Sequence, residues 1–268
     1  MASTELKPSW LTVPADNNEL TKRIWPQDTT RDADGEAVFG GVPSSDLTAQ
    51  FGTPLYVVDQ GEFERNGLAV KESLEAAAER IGTEAKVYYA GKAFLCTEVV
   101  RWADALGLNV DVASGGELAI ALAAGIDPKR IGLHGNNKSL DELRMAIAAG
   151  INHIVVDSFD ELDRLEHLHS SGLPVVRIQL RITPGVHVHT HEFVSTGQDD
   201  SKFGFNLNNG DAHKAIARAQ SSEAVDLIGI HCHIGSNVFA VDNFAEASKV
   251  MVDLFSTLNL PGLTLGGG

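Results

Sequence analysis

The stretch VVRIQLRI (175–182) alternates strictly, with Val176, Ile178, Leu180 and Ile182 set against Arg177, Gln179 and Arg181. Successive side chains of a strand point to opposite faces, so one face here is aliphatic and the other polar. Other runs repeat the arrangement. In NVDVAS (109–114), Val110 and Val112 oppose Asn109, Asp111 and Ala113. In LIGIHCHIG (227–235), Ile228 and Ile230 oppose Gly229, His231 and His233, and in KVYYAGKA (86–93) Tyr88, Ala90 and Lys92 share a face. The aliphatic face suits contact with helices. A face that gathers Lys, Asp, Arg and His suits a barrel lumen that is partly a polar site.

LYVVD (55–59), IGLHG (131–135), HIVVDS (153–158) and LTLGGG (263–268) bring the β-rich runs to eight. The starts at 109, 131, 153 and 175 are 22 residues apart, which is one strand, one helix and two short loops per unit. Eight such strands without a hairpin predict an α/β fold, a (β/α)8 TIM-type barrel. The runner-up is a doubly wound open sheet, which expects apolar side chains on both faces of its central strands. Between the strands, Ser114, Ser139 and Ser158 are each followed three residues later by Glu, the pattern of a helix N-cap, and Gly125 and Gly150 read as helix stops.

Residues 1–48 lack this rhythm and carry Pro8, Pro14, Pro26 and Pro43. They are expected to form an arm with at most one or two short strands, leaving 49–268 as the barrel. One connection is long: TPGVHVHTHEFVSTGQDDSKFGFNLNNG (183–210) leaves the C-terminal end of its strand, where barrel enzymes build their sites. With 21 Lys and Arg against 36 Asp and Glu, the 268-residue chain carries a net charge of −15, which argues against nucleic-acid or anionic-membrane partners. Two cysteines, Cys96 and Cys232, exclude a disulfide scaffold and suit a reducing compartment. MASTELKPSW (1–10) lacks the basic and apolar regions of a secretory signal, and no apolar run nears the roughly 20 residues that span a bilayer. The expected location is cytoplasmic.

Lys92 stands on a face that is otherwise apolar or small. Burial there favours a neutral amine, a nucleophile toward aldehydes that forms a Schiff base. A strand-end lysine reaching out to solvent fits the same spacing equally well. HCHIGSN (231–237) puts two histidines on one face before a Gly-Ser turn, and LTLGGG runs a strand into three glycines. Glycine-rich ends of the seventh and eighth barrel strands commonly cradle phosphate through backbone N–H groups, and Ser236 would join such a cup.

YYAGKAF, DVASGGEL, LHGNNKS, HTHEFVSTG, SKFG, HCHIGS and LGGG occur in this order. Together they resemble the diaminopimelate decarboxylase family, in the alanine-racemase-like fold of pyridoxal 5'-phosphate (PLP) enzymes. The resemblance runs from Trp25 onward, and WPQDTTRD (25–32) is similar to the actinobacterial branch. It implies that Lys92 holds PLP covalently and that His233 stacks on its ring. It implies phosphate binding by Ser236, Gly266, Gly267 and Gly268, and places Asp111, His134 and Arg181 around the cofactor. The implied reaction is decarboxylation of meso-2,6-diaminopimelate to L-lysine, the last step of lysine biosynthesis, in a homodimer with a small amino-acid substrate. His187, His189 and His191 alternate as zinc ligands can, but the resemblance accounts for HTHEF without a metal.

The family continues past LGGG into a last helix and a β-rich domain that brings an acidic-Pro-Gly-Arg segment, a catalytic cysteine and a tyrosine. Cys96 and Cys232 do not match that cysteine. The expectation is therefore a fragment with most of the cofactor half of a site, part of the arm belonging with the β-rich domain, and little activity alone. Ornithine- or arginine-type decarboxylases, a non-catalytic PLP-binding chain and, more distantly, a cofactor-free barrel hydrolase are the rival readings.

Overall fold

The polar stretch 28–36 folds back because Asp32 accepts hydrogen bonds from the N–H groups of Asp34 and Glu36 at 3.0 and 2.9 Å. It joins β1 (Thr30–Arg31) to β2 (Ala37–Phe39), and β3 (Val42–Pro43) completes a small antiparallel sheet. The sequence pointed to two strands at most. The three found are two or three residues long, too short for alternation to show. α1 (Ser44–Phe51) follows, with the Glu36 carboxylate at its first turn accepting from Ser44 Oγ at 2.8 Å. The computed structural model describes residues 16, 18–22, 24–186, 202–236, 238 and 241–267.

LYVVD (55–59) forms no strand. It has no ladder partner among the described residues, and Tyr56 is 97% exposed. Its composition favours a strand, but strand structure needs a neighbour's hydrogen bonds. α2 (Gln60–Glu79) starts directly after it, where Asp59 Oδ1 accepts from Glu62 N–H at 2.8 Å. The chain comprises two compact units, Met1–Ser73 and Leu74–Gly268, so the division falls inside α2, later than the change of pattern at residue 48.

The second unit holds β4 (Tyr88–Ala90), β5 (Asn109–Val112), β6 (Ile131–Leu133), β7 (His153–Val156), β8 (Val176–Thr183), β9 (Phe205–Asn206), β10 (Val225–Cys232) and β11 (Gly262–Leu265). Seven of these make one parallel path in the order β11-β10-β8-β7-β6-β5-β4, and β9 pairs with the end of β8. The barrel class holds, with seven strands of the expected eight on this path among the described residues. A doubly wound sheet would reverse its order at a switch point, and this order never reverses.

The helices α3 (Thr97–Ala105), α4 (Gly115–Ala124), α5 (Leu140–Ala149), α6 (Phe159–Ser170), α7 (Asp211–Ser221) and α8 (Val241–Ser256) alternate with these strands. The aliphatic alternates are the core: Val110, Leu133, Ile154, Leu180 and Ile230 are fully buried. Each contributes roughly 1.5–3 kcal/mol relative to exposure. Among the described residues, no helix is long and apolar enough to cross a membrane.

All three predicted caps form. Ser114 Oγ and Ser158 Oγ accept from the N–H groups of Glu117 and Glu161, while Ser139 and Glu142 make a reciprocal capping box. Gly125 and Gly150 close α4 and α5 in the left-handed conformation, at φ 89° and 66°. Glu142 does more than cap: its Oε1 accepts from Gly115 N–H at 2.7 Å, joining the starts of α4 and α5. These bonds hold its carboxyl below the usual range, the Ser139 backbone N–H contributing most. Glu142→Ala is expected to cost about 2 kcal/mol in urea unfolding at neutral pH, two backbone donors losing their acceptor. A depressed carboxylate stabilises above its unfolded pKa and stops doing so as pH falls through its folded one. The difference between variant and wild type should therefore shrink in acid, and a pH-independent gap would contradict this account.

Candidate active site

Register sets the polar alternates of neighbouring strands side by side: Ala90 beside Asp111, Asp111 beside Gly132, Arg181 beside His231 and His231 beside Thr264. They form the lumen face in two tiers. In the lower tier Arg177 donates to Asn152 Oδ1 at 2.8 Å and Asn152 Nδ2 donates to Tyr88 OH at 2.9 Å. The Tyr88 and His153 rings meet edge to face at 5.8 Å. His153 is buried, which pulls its pKa down to about 4, so it is neutral at physiological pH.

The upper tier gathers the residues singled out in the motifs. His134 Nε2 lies 3.1 Å from Asp111 Oδ1, without the alignment of a hydrogen bond. The His134 ring stands edge-on to His231, with centroids 4.9 Å apart. His231 is 3% exposed and its Nδ1 has no hydrogen-bond partner. Burial first, and His134 second, push its pKa well below the ordinary value. His233 is half-buried. Desolvation, then the charges of Lys92 and Arg181, bring it down to about 3, against a hydrogen bond with the Gly267 backbone. Both rings of HCHIGS are thus neutral and flat faces rather than cations. Cys232 between them is buried on the other side, and its thiol is pushed up to about 11 by desolvation, which makes it inert.

Lys92 is not on the strand. β4 ends at Ala90, and Lys92 sits in the following turn, solvent-accessible. Gly91 allows the turn: its N–H donates to Asp111 O at 2.8 Å, and a Cβ there would come within 2.8 Å of the same oxygen. The Lys92 amine is lowered from its ordinary pKa, by desolvation first and the Arg181 charge second, while Asp111 and Glu117 oppose the shift. The charges of Arg181, Asp111 and Glu117 thus act on Lys92, and the Lys92 charge acts in turn on His233.

Gly266 follows β11 and donates to Cys232 O at 2.7 Å. A Cβ on Gly266 would lie 2.6 Å from His233 Nδ1 and 2.9 Å from Cys232 O, so glycine is what lets this strand end close on the histidine. Gly266→Ala is expected to cost about 1–3 kcal/mol in thermal or denaturant unfolding and to displace the His233 ring. An unaltered His233 imidazole resonance in NMR would show that the fit is looser than these distances. Ser236 lies on an exposed bend beyond β10, and around Gly267 there is open space. Gly268 and the histidines 187, 189 and 191 lie outside the described residues.

Alternation flagged Lys92, Asp111, Arg181 and His233, and the resemblance added His134; the structure brings them to one mouth. It missed Asp157, buried just past β7, although 153, 155 and 157 alternate as 109, 111 and 113 do. It also missed Lys138, 3% exposed, whose Nζ donates to Gly135 O, Val155 O and Glu161 Oε1, each at 2.7 Å.

A lumen with an amine of lowered pKa, neutral imidazoles, a guanidinium and an N–H-bearing glycine end suits an aldehyde-bearing, phosphorylated cofactor. The chain belongs to the pyridoxal-dependent decarboxylase family, whose pyridoxal binding domain matches residues 68–268. Pyridoxal phosphate is the cofactor of this domain. The orphaned His231 nitrogen and the tight Gly266 approach fit such a group. The chain is 41% identical over 259 residues to a diaminopimelate decarboxylase of Mycobacterium tuberculosis, covering 93% of this chain and 56% of that one. It is 43% identical over 241 residues to that of Bacillus subtilis, covering 87% and 54%. The crystal structure of the M. jannaschii diaminopimelate decarboxylase with L-lysine matches with a TM-score of 0.80 at 34% identity, over 90% of this chain and 57% of that one. The chain spans just over half the length of these relatives.

Proposed function

We propose that this chain is the cofactor-binding part of a decarboxylase that converts meso-2,6-diaminopimelate to L-lysine and CO2, the last step of lysine biosynthesis. The observation that carries this reading is the meeting of Lys92, Arg181 and His233 at one mouth of the lumen. Likeness to diaminopimelate decarboxylases, one of them solved with L-lysine, supports the substrate.

In this reading Lys92 holds the cofactor covalently, since its amine gives up its proton more readily than an ordinary lysine's. His233 offers its neutral face to the ring, held by Gly266 and Gly267. Ser236 with Gly266, Gly267 and Gly268 binds the phosphate. Arg181, Asp111 and His134 set the charge beneath and beside the ring. Bound there, pyridoxal phosphate supplies the electron sink for the carbanion left when CO2 departs. Residues 1–48 form the arm and 49–268 the cofactor barrel. The protein works in the cytoplasm, as a homodimer.

The test is CO2 release with added pyridoxal phosphate from meso-diaminopimelate, ornithine and arginine in parallel. It compares this chain with a version extended to the length of its relatives. Turnover of diaminopimelate by the extended version, with little from the 268-residue chain, is expected. A preference for ornithine or arginine would replace the substrate. Failure of this chain to gain visible absorbance with pyridoxal phosphate would overturn the cofactor assignment.

A further inference from the structure

Three groups converge on Asp157, a residue that none of the motifs singles out. Its Oδ2 accepts from Gly204 N–H at 3.1 Å, and its Oδ1 faces Arg181 Nη1 at 3.4 Å. From behind, its own N–H donates to Glu161 Oε2 at 3.0 Å, and Glu161 Oε1 is held by Lys138. The segment that Asp157 meets packs on Arg181. The Phe203 ring centroid is 4.5 Å from the guanidinium carbon, and Thr183 Oγ1 donates to Phe203 O. Gly204 has φ +74°, and a Cβ there would lie 2.7 Å from Arg181 O, so no other residue fits this approach. Next, Phe205 and Asn206 pair with Ile182 and Thr183.

We propose that Asp157 is a positioning residue for this site: one oxygen orients Arg181 in the lumen while the other fixes the backbone at Gly204. The guanidinium and the far end of the 184–204 connection are thereby set together. The inference deepens the reading of the lumen as a cofactor site and rests on it. A carboxylate needed only to balance Arg181 would have no use for Gly204 N–H, and one needed only as a loop anchor would have no use for a guanidinium. A buried Asp157 carries both contacts on a single group, braced by the Lys138–Glu161 pair.

Two measurements on the cofactor-free chain test this, with circular dichroism confirming the fold. Asp157→Ala should raise amide hydrogen exchange at residues 204–206 about tenfold or more. Asp157→Asn should stay near wild type, because its amide oxygen still accepts from Gly204. The pH midpoint for acetylation of Lys92, read by mass spectrometry, should fall by about half a unit in both variants as Arg181 loses its counter-charge. In an Arg181→Gln background, Asp157→Asn should no longer move that midpoint. Unchanged exchange in Asp157→Ala, or an unmoved midpoint in Asp157→Asn, overturns the proposal. If the alanine variant fails to fold, the asparagine variant decides alone. Neither measurement involves pyridoxal phosphate, so failure here leaves the cofactor reading standing, and failure of wild type to bind cofactor leaves these outcomes intact.

Discussion

Lys92→Ala should abolish borohydride-stable attachment of pyridoxal phosphate while leaving the fold and weak, non-covalent cofactor binding in place. Lys92 is accessible in the turn after β4, so its loss opens no core cavity. Its amine is lowered by desolvation and Arg181, so it reacts with an aldehyde at a lower pH than a surface lysine. In the full-length enzyme the turnover loss should be on the order of 10⁴-fold, since both the covalent anchor and a proton carrier disappear. Peptide mapping after reduction of the wild-type chain gives the matching positive result, the pyridoxyl mass on the peptide containing Lys92. Label on another lysine, with Lys92 unmodified, would sink the assignment.

Lys138→Met should be the most damaging single change to stability, costing about 3–5 kcal/mol. The ammonium is buried and answers three acceptors, Gly135 O, Val155 O and Glu161 Oε1. Without it, Glu161 stays buried with no counter-ion. Burial raises the Glu161 pKa, and Lys138 is the main force opposing that rise. A carboxyl whose folded pKa lies above its unfolded one stabilises at low pH and loses that contribution as pH rises through the folded value. The variant should therefore fare best in mild acid and worst above neutrality. Pairing it with Glu161→Leu should recover part of the loss, because two apolar residues leave no unpaired charge. Denaturant unfolding that showed a single-variant cost under about 1 kcal/mol would mean the pair is solvated in solution.

The sequence reveals which face a strand residue occupies, but not how deep it lies or what meets it. Alternation placed Asp111, Arg181 and His233 in the lumen, and the serine–glutamate spacing located α4, α5 and α6. These are local signals, complete within four to eight residues. Lys138 was hidden because its partner Glu161 lies 23 residues on, in the first turn of α6, and because lysine is most often exposed. Gly266 read only as one of three glycines. Its particular need comes from His233, just past the end of β10, a strand that adjoins it only in the fold. LYVVD carries every local mark of a strand and still forms none, because a ladder is a property of two segments.

The strictly sequential order of the parallel path has a consequence for biogenesis. From β5 to β8 each strand pairs with the one before it in the chain, so the docking edge is always the piece most recently synthesised. The sheet can lengthen one unit at a time as the polypeptide leaves the ribosome, each new strand meeting its partner after a short wait. The same ordering leaves a bare, parallel-competent edge at the growing front throughout translation. Pauses after β8, while the 184–204 connection is being made, would prolong that exposure most. Nascent chains stalled there are where a holding chaperone should bind.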